Sequence, residues 1–187
     1  MRDAFSKKGH DVTSCDLLPG EISMFKEPLG KHYQGNVFDI INEGWDLMVA
    51  HPPCTYLSYA AVGVWNSPGR EEKRREALEF LKALYNSNIE KICVENPLGE
   101  AIKWRKYDQI INPWQFGEPF NKRTCLWLKG LPLLQPTNIV EPIKKFYPNG
   151  KRKVCTDLMS SGSNDARRKA RSMFWEGIAN AMAEQWN

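Results

Sequence analysis

An α/β fold with a largely parallel sheet is the architecture this sequence predicts. Short apolar runs alternate with amphipathic helical patterns along the chain, the rhythm of βαβ units. Two of the runs, "WDLMVA" (45–50) and "KICVEN" (91–96), show no polar alternation, as expected of strands covered on both faces. Both runs stop at proline, and a long helical pattern separates them.

Taken in order, "RDAFSKKGH" reads as the end of a helix closed by Gly9. "DVTSCDLL" is a short strand finished by Pro19-Gly20, and residues 20–34 read as loop. "GNVFDII" is a second short strand or a strand–helix join, and "WDLMVA" is a buried strand. "SPGREEKRREALEFLKALYNSN" is the clearest helix, with Ala77, Leu78, Leu81, Leu84 and Tyr85 at helical spacing and charges opposite. "KICVEN" follows as a buried strand and "RTCLWLKGL" as a later one. Pro132, Pro136 and Pro142 then punctuate a variable-looking region. "RKARSMFWEGIANAMAEQW" closes the chain as a helix with Phe174, Ile178, Ala181 and Met182 on one side.

A chain of 187 residues with 42% hydrophobic residues and seven tryptophans is long and apolar enough for one packed domain, 1–187, which argues against disorder. Trp104, Trp114, Trp127 and Trp175 read as core rather than as base-stacking surfaces. No apolar run is long enough to cross a membrane and no secretory pattern opens the chain. Five cysteines without paired spacing suggest reduced thiols and a cytoplasmic setting. The net charge of +4 is mild, but Lys129, Lys144, Lys145, Lys151, Arg152, Lys153, Arg167, Arg168, Lys169 and Arg171 outnumber Glu141, Asp157 and Asp165 between them. Such a surplus suits a phosphate backbone, and it equally suits a solvated lysine-rich loop.

The chemistry is concentrated where the strands end. In open α/β sheets ligands sit beyond the carboxyl ends of strands, and both "HPPC" (51–54) and "VENP" (94–97) occupy such ends. Two prolines before Cys54 stiffen the backbone and hold one side chain at one angle. A cysteine thiolate beside a carboxylic acid can perform covalent catalysis with a general acid at hand. "NKRTCLW" adds a cation, since a neighbouring positive charge favours the thiolate. Cys54, Glu95 and Arg123 are the side chains needed to attack carbon 6 of a cytosine, protonate N3 and support the developing charge. Carbon 5 then accepts a methyl group. Cys15, Cys93, Cys125 and Cys155 read as core or incidental thiols. No metal is expected, because Pro52 and Pro53 stiffen the link between His51 and Cys54 and no second ligand pair has suitable spacing.

The order "PPC", "ENP", "KRTCLW", "GIANAMAEQW" resembles the motif series of DNA (cytosine-5)-methyltransferases, and more closely their short relatives common in bacteriophages and prophages. "HPPCTYLS" is similar to the catalytic loop, "VENP" to the Glu-Asn motif, "KRTCLWLKGLP" to the motif with the supporting arginine, and "IANAMA" to the closing helix. The resemblance implies a Rossmann-like, class I methyltransferase sheet, S-adenosylmethionine as methyl donor and a cytosine flipped out of duplex DNA. It makes Cys54 the nucleophile, Glu95 the acid at N3 and Arg123 its partner, with Pro53, Asn96 and Pro97 shaping the substrate loop. Asp16, Leu17, Asn36, Val37, Pro52 and Asn180 fall at its cofactor positions, Asp16 on the ribose.

Four departures accompany the resemblance. The chain opens within what corresponds to the helix after the family's first strand and glycine loop. Two expectations follow: the chain is a fragment or mis-started gene product, or an upstream segment or partner chain completes the sheet between the strand ending at Cys15 and the one ending at Ala50. Asn36 stands where the family usually has aspartate, and His51 where it often has glycine. The basic region 129–170 is short for a full target recognition domain. Two alternatives stay open: a non-catalytic remnant that binds nucleic acid or a partner, and an enzyme acting on a small pyrimidine nucleotide.

Overall fold

The computed structural model describes residues 1–20, 29–146, 152–154 and 175–186, gathered into two compact units. The first unit comprises Met1–Asp39, Asn112–Lys122 and Leu134–Asn187, and the second Ile40–Ile111 and Arg123–Leu133.

In the first unit, helix α1 (Arg2–Lys7) ends at Lys8, and Gly9 takes the left-handed conformation (φ +91°) that stops it. Ala4 and Phe5 are its buried face, and it packs against helix α5 (Glu176–Gln185), whose Ile178, Ala179, Ala181, Met182 and Ala183 are buried. Strand β1 (Thr13–Asp16) pairs in parallel with β2 (Lys31–Gln34), Thr13 beside Lys31 and Asp16 beside Gln34. The sequence suggested loop over 20–34. "KHYQ" carries no apolar run, and its end residues Lys31 and Gln34 are exposed, so the strand is invisible to hydrophobic patterning. A turn of helix, α2 (Val37–Ile40), then carries the chain from the first unit into the second. Strands β7 (Lys144–Phe146) and β8 (Arg152–Val154) form an antiparallel hairpin. Lys151, Arg167, Arg168, Lys169 and Arg171 of the basic stretch, with Phe174 and Cys155, lie outside the described residues.

The second unit is built on one sheet. Its strands are β3 (Leu47–Ala50), β4 (Lys91–Pro97), β5 (Gln109–Ile111) and β6 (Thr124–Lys129), in the order β3-β4-β6-β5. Helix α3 (Arg70–Tyr85) connects β3 to β4 and buries Leu81 and Leu84 against the sheet, so the pair runs parallel. The other two pairings, β4–β6 and β5–β6, are antiparallel, so this sheet is mixed rather than largely parallel. Helix α4 (Ala101–Trp104) lies between β4 and β5, which point the same way because β6 runs antiparallel to both. The path from β5 to β6 carries only a 3-10 turn (Pro113–Gln115) and no crossover helix, and β6 returns antiparallel. Among the described residues β1 pairs only with β2, and β3 only with β4.

Strand β4 is the centre of this unit. Ile92, Cys93 and Val94 are fully buried, as are Cys125, Leu126 and Trp127 on its partner β6. Burying a side chain of that size contributes about 1.5–3 kcal/mol. β3 is half-buried along its length, since it has a sheet neighbour on one side only.

The far edge is pinned by charge. Arg105 donates two bonds to Asp108 (Nη1 to Oδ2, 2.7 Å; Nη2 to Oδ1, 2.9 Å), and the Leu128 N–H donates to the same Oδ2 at 2.7 Å. The Trp127 indole N–H closes the arrangement on the Arg105 carbonyl at 2.8 Å. Burial pushes the Asp108 carboxyl up, but the Arg105 and Leu128 hydrogen bonds and the guanidinium charge outweigh it, and the net shift is downward. A depressed native pKa contributes stability above the unfolded value and loses it as pH falls through the native one. Asp108→Asn is expected to cost about 1–3 kcal/mol at neutral pH. In urea unfolding at a series of pH values, the gap from the unmodified protein should narrow on acidification.

Candidate active site

The parallel register of β3 and β4 builds the site. Leu47 lies beside Lys91 and Ala50 beside Val94, an offset of 44 residues. The same offset continues past the end of β3. His51 Nδ1 lies 3.0 Å from Glu95 Oε2, and the Asn96 side-chain amide donates to the Pro52 carbonyl at 2.8 Å. The first two residues of "HPPC" are thereby tied to the first two of "ENP". Asn96, itself 1% exposed, thus satisfies the Pro52 carbonyl with a side-chain donor where the strand pairing has ended. The other amide atom, Asn96 Oδ1, is buried and without a hydrogen-bond partner.

Past Cys54 the chain turns sharply. The Leu57 and Ser58 N–H groups both donate to the Cys54 carbonyl, at 3.1 and 2.9 Å. Leu57 is fully buried and its carbonyl accepts the Glu100 N–H at 2.8 Å, while Ser58 bridges to Gly99. A Cβ on Gly99 would come within 2.0 Å of the Leu57 carbonyl oxygen, so only glycine admits the loop there. The Arg70 guanidinium donates to the Thr55 carbonyl at 2.9 Å and lies 4.9 Å from the centre of the Tyr56 ring. The loop is held from both sides, and Cys54 is left exposed at its crest.

The remaining described thiols differ. Cys93 and Cys125 are buried, and Cys15 is half-buried. Burial pushes the Cys93 thiol well above its ordinary value, with the Glu95 and Asp108 charges adding to the effect. Burial, then Glu95, raises Cys125 to about 12 against a smaller opposing effect of Arg123. Burial, Asp16 and Asp39 raise Cys15. These three are disfavoured as thiolates.

The residues singled out in the sequence divide between the units. Pro52, Pro53, Cys54, Glu95, Asn96, Pro97 and Arg123 belong to the second unit. Arg123 is exposed just before β6, opposite the end of β4, where Thr124 pairs with Pro97. Its guanidinium makes no ion pair with Glu95; the carboxylate's partner is His51. Asp16, Leu17, Asn36, Val37 and Asn180 belong to the first unit. Asp16 and Asn36 share one rim, since β1 and β2 are parallel and the Gly35 N–H donates to the Asp16 carbonyl at 3.0 Å. The Asp16 carboxylate accepts the Leu18 N–H at 2.9 Å, and Asn36 Oδ1 accepts that of Phe38 at 3.1 Å. Leu17 is 72% exposed, Val37 is half-buried and Asn180 is exposed on α5.

His51 as the partner of Glu95, and Gly99 as the seat of the loop, were not read from the sequence. Aligning the last apolar residues of the two strand runs, Ala50 with Val94, would have set His51 beside Glu95. Gly99 left no such signal, because its role depends on a distant segment folding over it.

No protein-family model, curated protein or solved structure matches the chain. Among the described residues no group of three or more His, Cys, Asp or Glu side chains is arranged to hold a metal ion, and no helix is long and apolar enough to cross a membrane.

Exposure sets Cys54 apart from Cys15, Cys93 and Cys125, which burial disfavours as thiolates. In a limited iodoacetamide reaction followed by peptide mass spectrometry, Cys54 should be alkylated first among the four described thiols. Cys93 and Cys125 should react only once the protein is unfolded.

Proposed function

We propose that this chain transfers a methyl group to carbon 5 of cytosine in DNA through a covalent Cys54 adduct. The observation that carries the reading is the exposed Cys54 on a Pro-Pro loop tied to the strand end that supplies Glu95 and Asn96. Rigid support of a nucleophile beside a carboxyl group serves addition to a ring carbon with protonation of a ring nitrogen.

Each of these residues has one task. The Cys54 thiolate forms the sulfur–carbon bond at C6 of the pyrimidine. Glu95 donates a proton to N3, and the electron pair displaced from the ring double bond makes C5 nucleophilic. Once C5 carries the methyl group, its proton leaves to solvent base and the C6–sulfur bond breaks. Cys54 is regenerated as thiolate, and the N3 proton returns to Glu95. Arg123, exposed beside the end of β4, supplies positive charge for the substrate.

The methyl donor of this reading is S-adenosylmethionine, which supplies an electrophilic methyl on a sulfonium. The residues of the first unit suit its nucleoside. Asp16 and Asn36 offer oxygen acceptors on one rim for ribose hydroxyls and an adenine amino group, and Leu17 and Val37 offer apolar surface. Asn180 adds an exposed amide, while the Pro52 carbonyl is already engaged by Asn96. Lys144 and its basic neighbours supply charge for the DNA backbone.

The test is transfer of labelled methyl from S-adenosylmethionine to duplex DNA, with nucleoside analysis. Label is expected in 5-methylcytosine, absent with Cys54→Ala and lowered about 100-fold or more with Glu95→Gln. Transfer to a cytidine nucleotide but not to DNA would assign the small-substrate activity instead. Salt-dependent DNA binding without any transfer would make the chain a binding protein.

A further inference from the structure

Nothing in the proposed reaction gives His51 a task, yet its ring is the partner of the carboxyl group at the centre of that reaction. His51 Nδ1 lies 3.0 Å from Glu95 Oε2, and no other hydrogen bond of the Glu95 side chain occurs among the described residues. The Glu95 side chain is 16% exposed and that of His51 34%, so the contact is neither deeply buried nor fully solvated. It is also not accidental in geometry. His51 is the first residue after β3, Glu95 is its neighbour by the β3–β4 register, and Pro52 and Pro53 restrict the backbone that follows.

A carboxylic acid that gives its proton to a ring nitrogen must present its hydroxyl oxygen to that nitrogen and turn its carbonyl oxygen elsewhere. A hydrogen-bond donor fixed on one oxygen makes that choice in advance. We propose that His51 is a positioning residue for Glu95. Its Nδ1–H donates to Oε2, which holds Oε2 as the carbonyl oxygen and leaves Oε1 as the atom that carries the proton to N3. After transfer, the same N–H stabilises the negative charge left on the carboxylate. No bond to His51 is made or broken, and the proton balance is that of the Glu95 step. This role rests on the proposed cytosine chemistry; the hydrogen bond itself does not.

The arrangement has a spectroscopic signature that needs no turnover. A ring whose Nδ1–H donates to a carboxylate is held as the Nδ1–H tautomer when neutral. The chain has three histidines, so the ring nitrogens of His51 are assignable by comparison with a His51→Asn sample. Long-range proton–nitrogen correlation spectra of the full chain, with the ring neutral, should show the Nδ1–H tautomer at His51 and its loss in Glu95→Ala. In methyl transfer, His51→Phe, which keeps the ring but not the donor, should lower kcat about 10- to 100-fold with little change in KM for DNA. His51→Asn, whose amide nitrogen can stand near the place of Nδ1, should recover most of that loss. An Nε2–H tautomer in the unmodified protein, or a His51→Phe protein with unaltered kcat, would overturn the proposal. Should the unmodified chain transfer no methyl at all, the cytosine reading falls and the positioning role with it. The tautomer then still decides whether the pair exists.

Discussion

The site depends on one constraint, the register in which β3 lies along β4. A parallel pair needs a crossover, here α3, and the apolar residues of both strands settle which residue meets which. A slip of one residue would turn the fully buried Ile92 and Val94 to the other face and break their match with Met48 and Ala50. The β3–β4 register and the two strand-end contacts agree in setting the two residues after β3 beside Glu95 and Asn96.

These contacts help explain how a short loop can be rigid. Prolines restrict the unfolded chain as well as the folded one, so Pro52 and Pro53 lower the entropy lost when the loop orders. At the strand end the buried Asn96 amide donates to the Pro52 carbonyl and so satisfies that acceptor from the side. On the far side of Cys54, Leu57 goes to zero exposure and Gly99 lets two backbones meet. The loop is therefore anchored before and after Cys54, which is itself exposed. The same sheet buries Cys93 and Cys125 and holds them as thiols, so one small region keeps exposed and silenced cysteines side by side in sequence order.

Much of this was legible in the sequence wherever apolar periodicity carried the signal. "LMVA", "KICVEN" and "TCLWLK" are strands, and the 16-residue helix α3 lies where Leu81 and Leu84 place its buried face. Of the four tryptophans read as core, Trp127 is fully buried and Trp104, Trp114 and Trp175 are half-buried. Strand β2 escaped because its pairing with β1 leaves "KHYQ" half exposed, and polar strands carry no period that composition can reveal. The mixed sheet escaped because the one reversed strand, β6, inserts between β4 and β5, and the order of elements along the chain does not show which strands become neighbours. Of the candidate residues, Cys54 and Glu95 stand out from their proline-bounded strand ends, and Asn96 only from the likeness of "VENP" to a Glu-Asn motif. The pairing of Glu95 with His51 rather than Arg123 could not, because it depends on register and on which face each strand end presents.

The central claim is that the anchored loop presents Cys54 as a nucleophile for carbon 6 of cytosine. The most direct measurement is covalent capture on duplex DNA in which cytosines are replaced by 5-fluorocytosine, with S-adenosylmethionine present. Once methylated, such a ring has no proton at C5 to lose, so the sulfur–carbon bond at C6 persists. A denaturation-stable protein–DNA complex, mapped by peptide mass spectrometry to Cys54 and absent in Cys54→Ala, is the result the account predicts. No complex, or one attached through another residue, would contradict it.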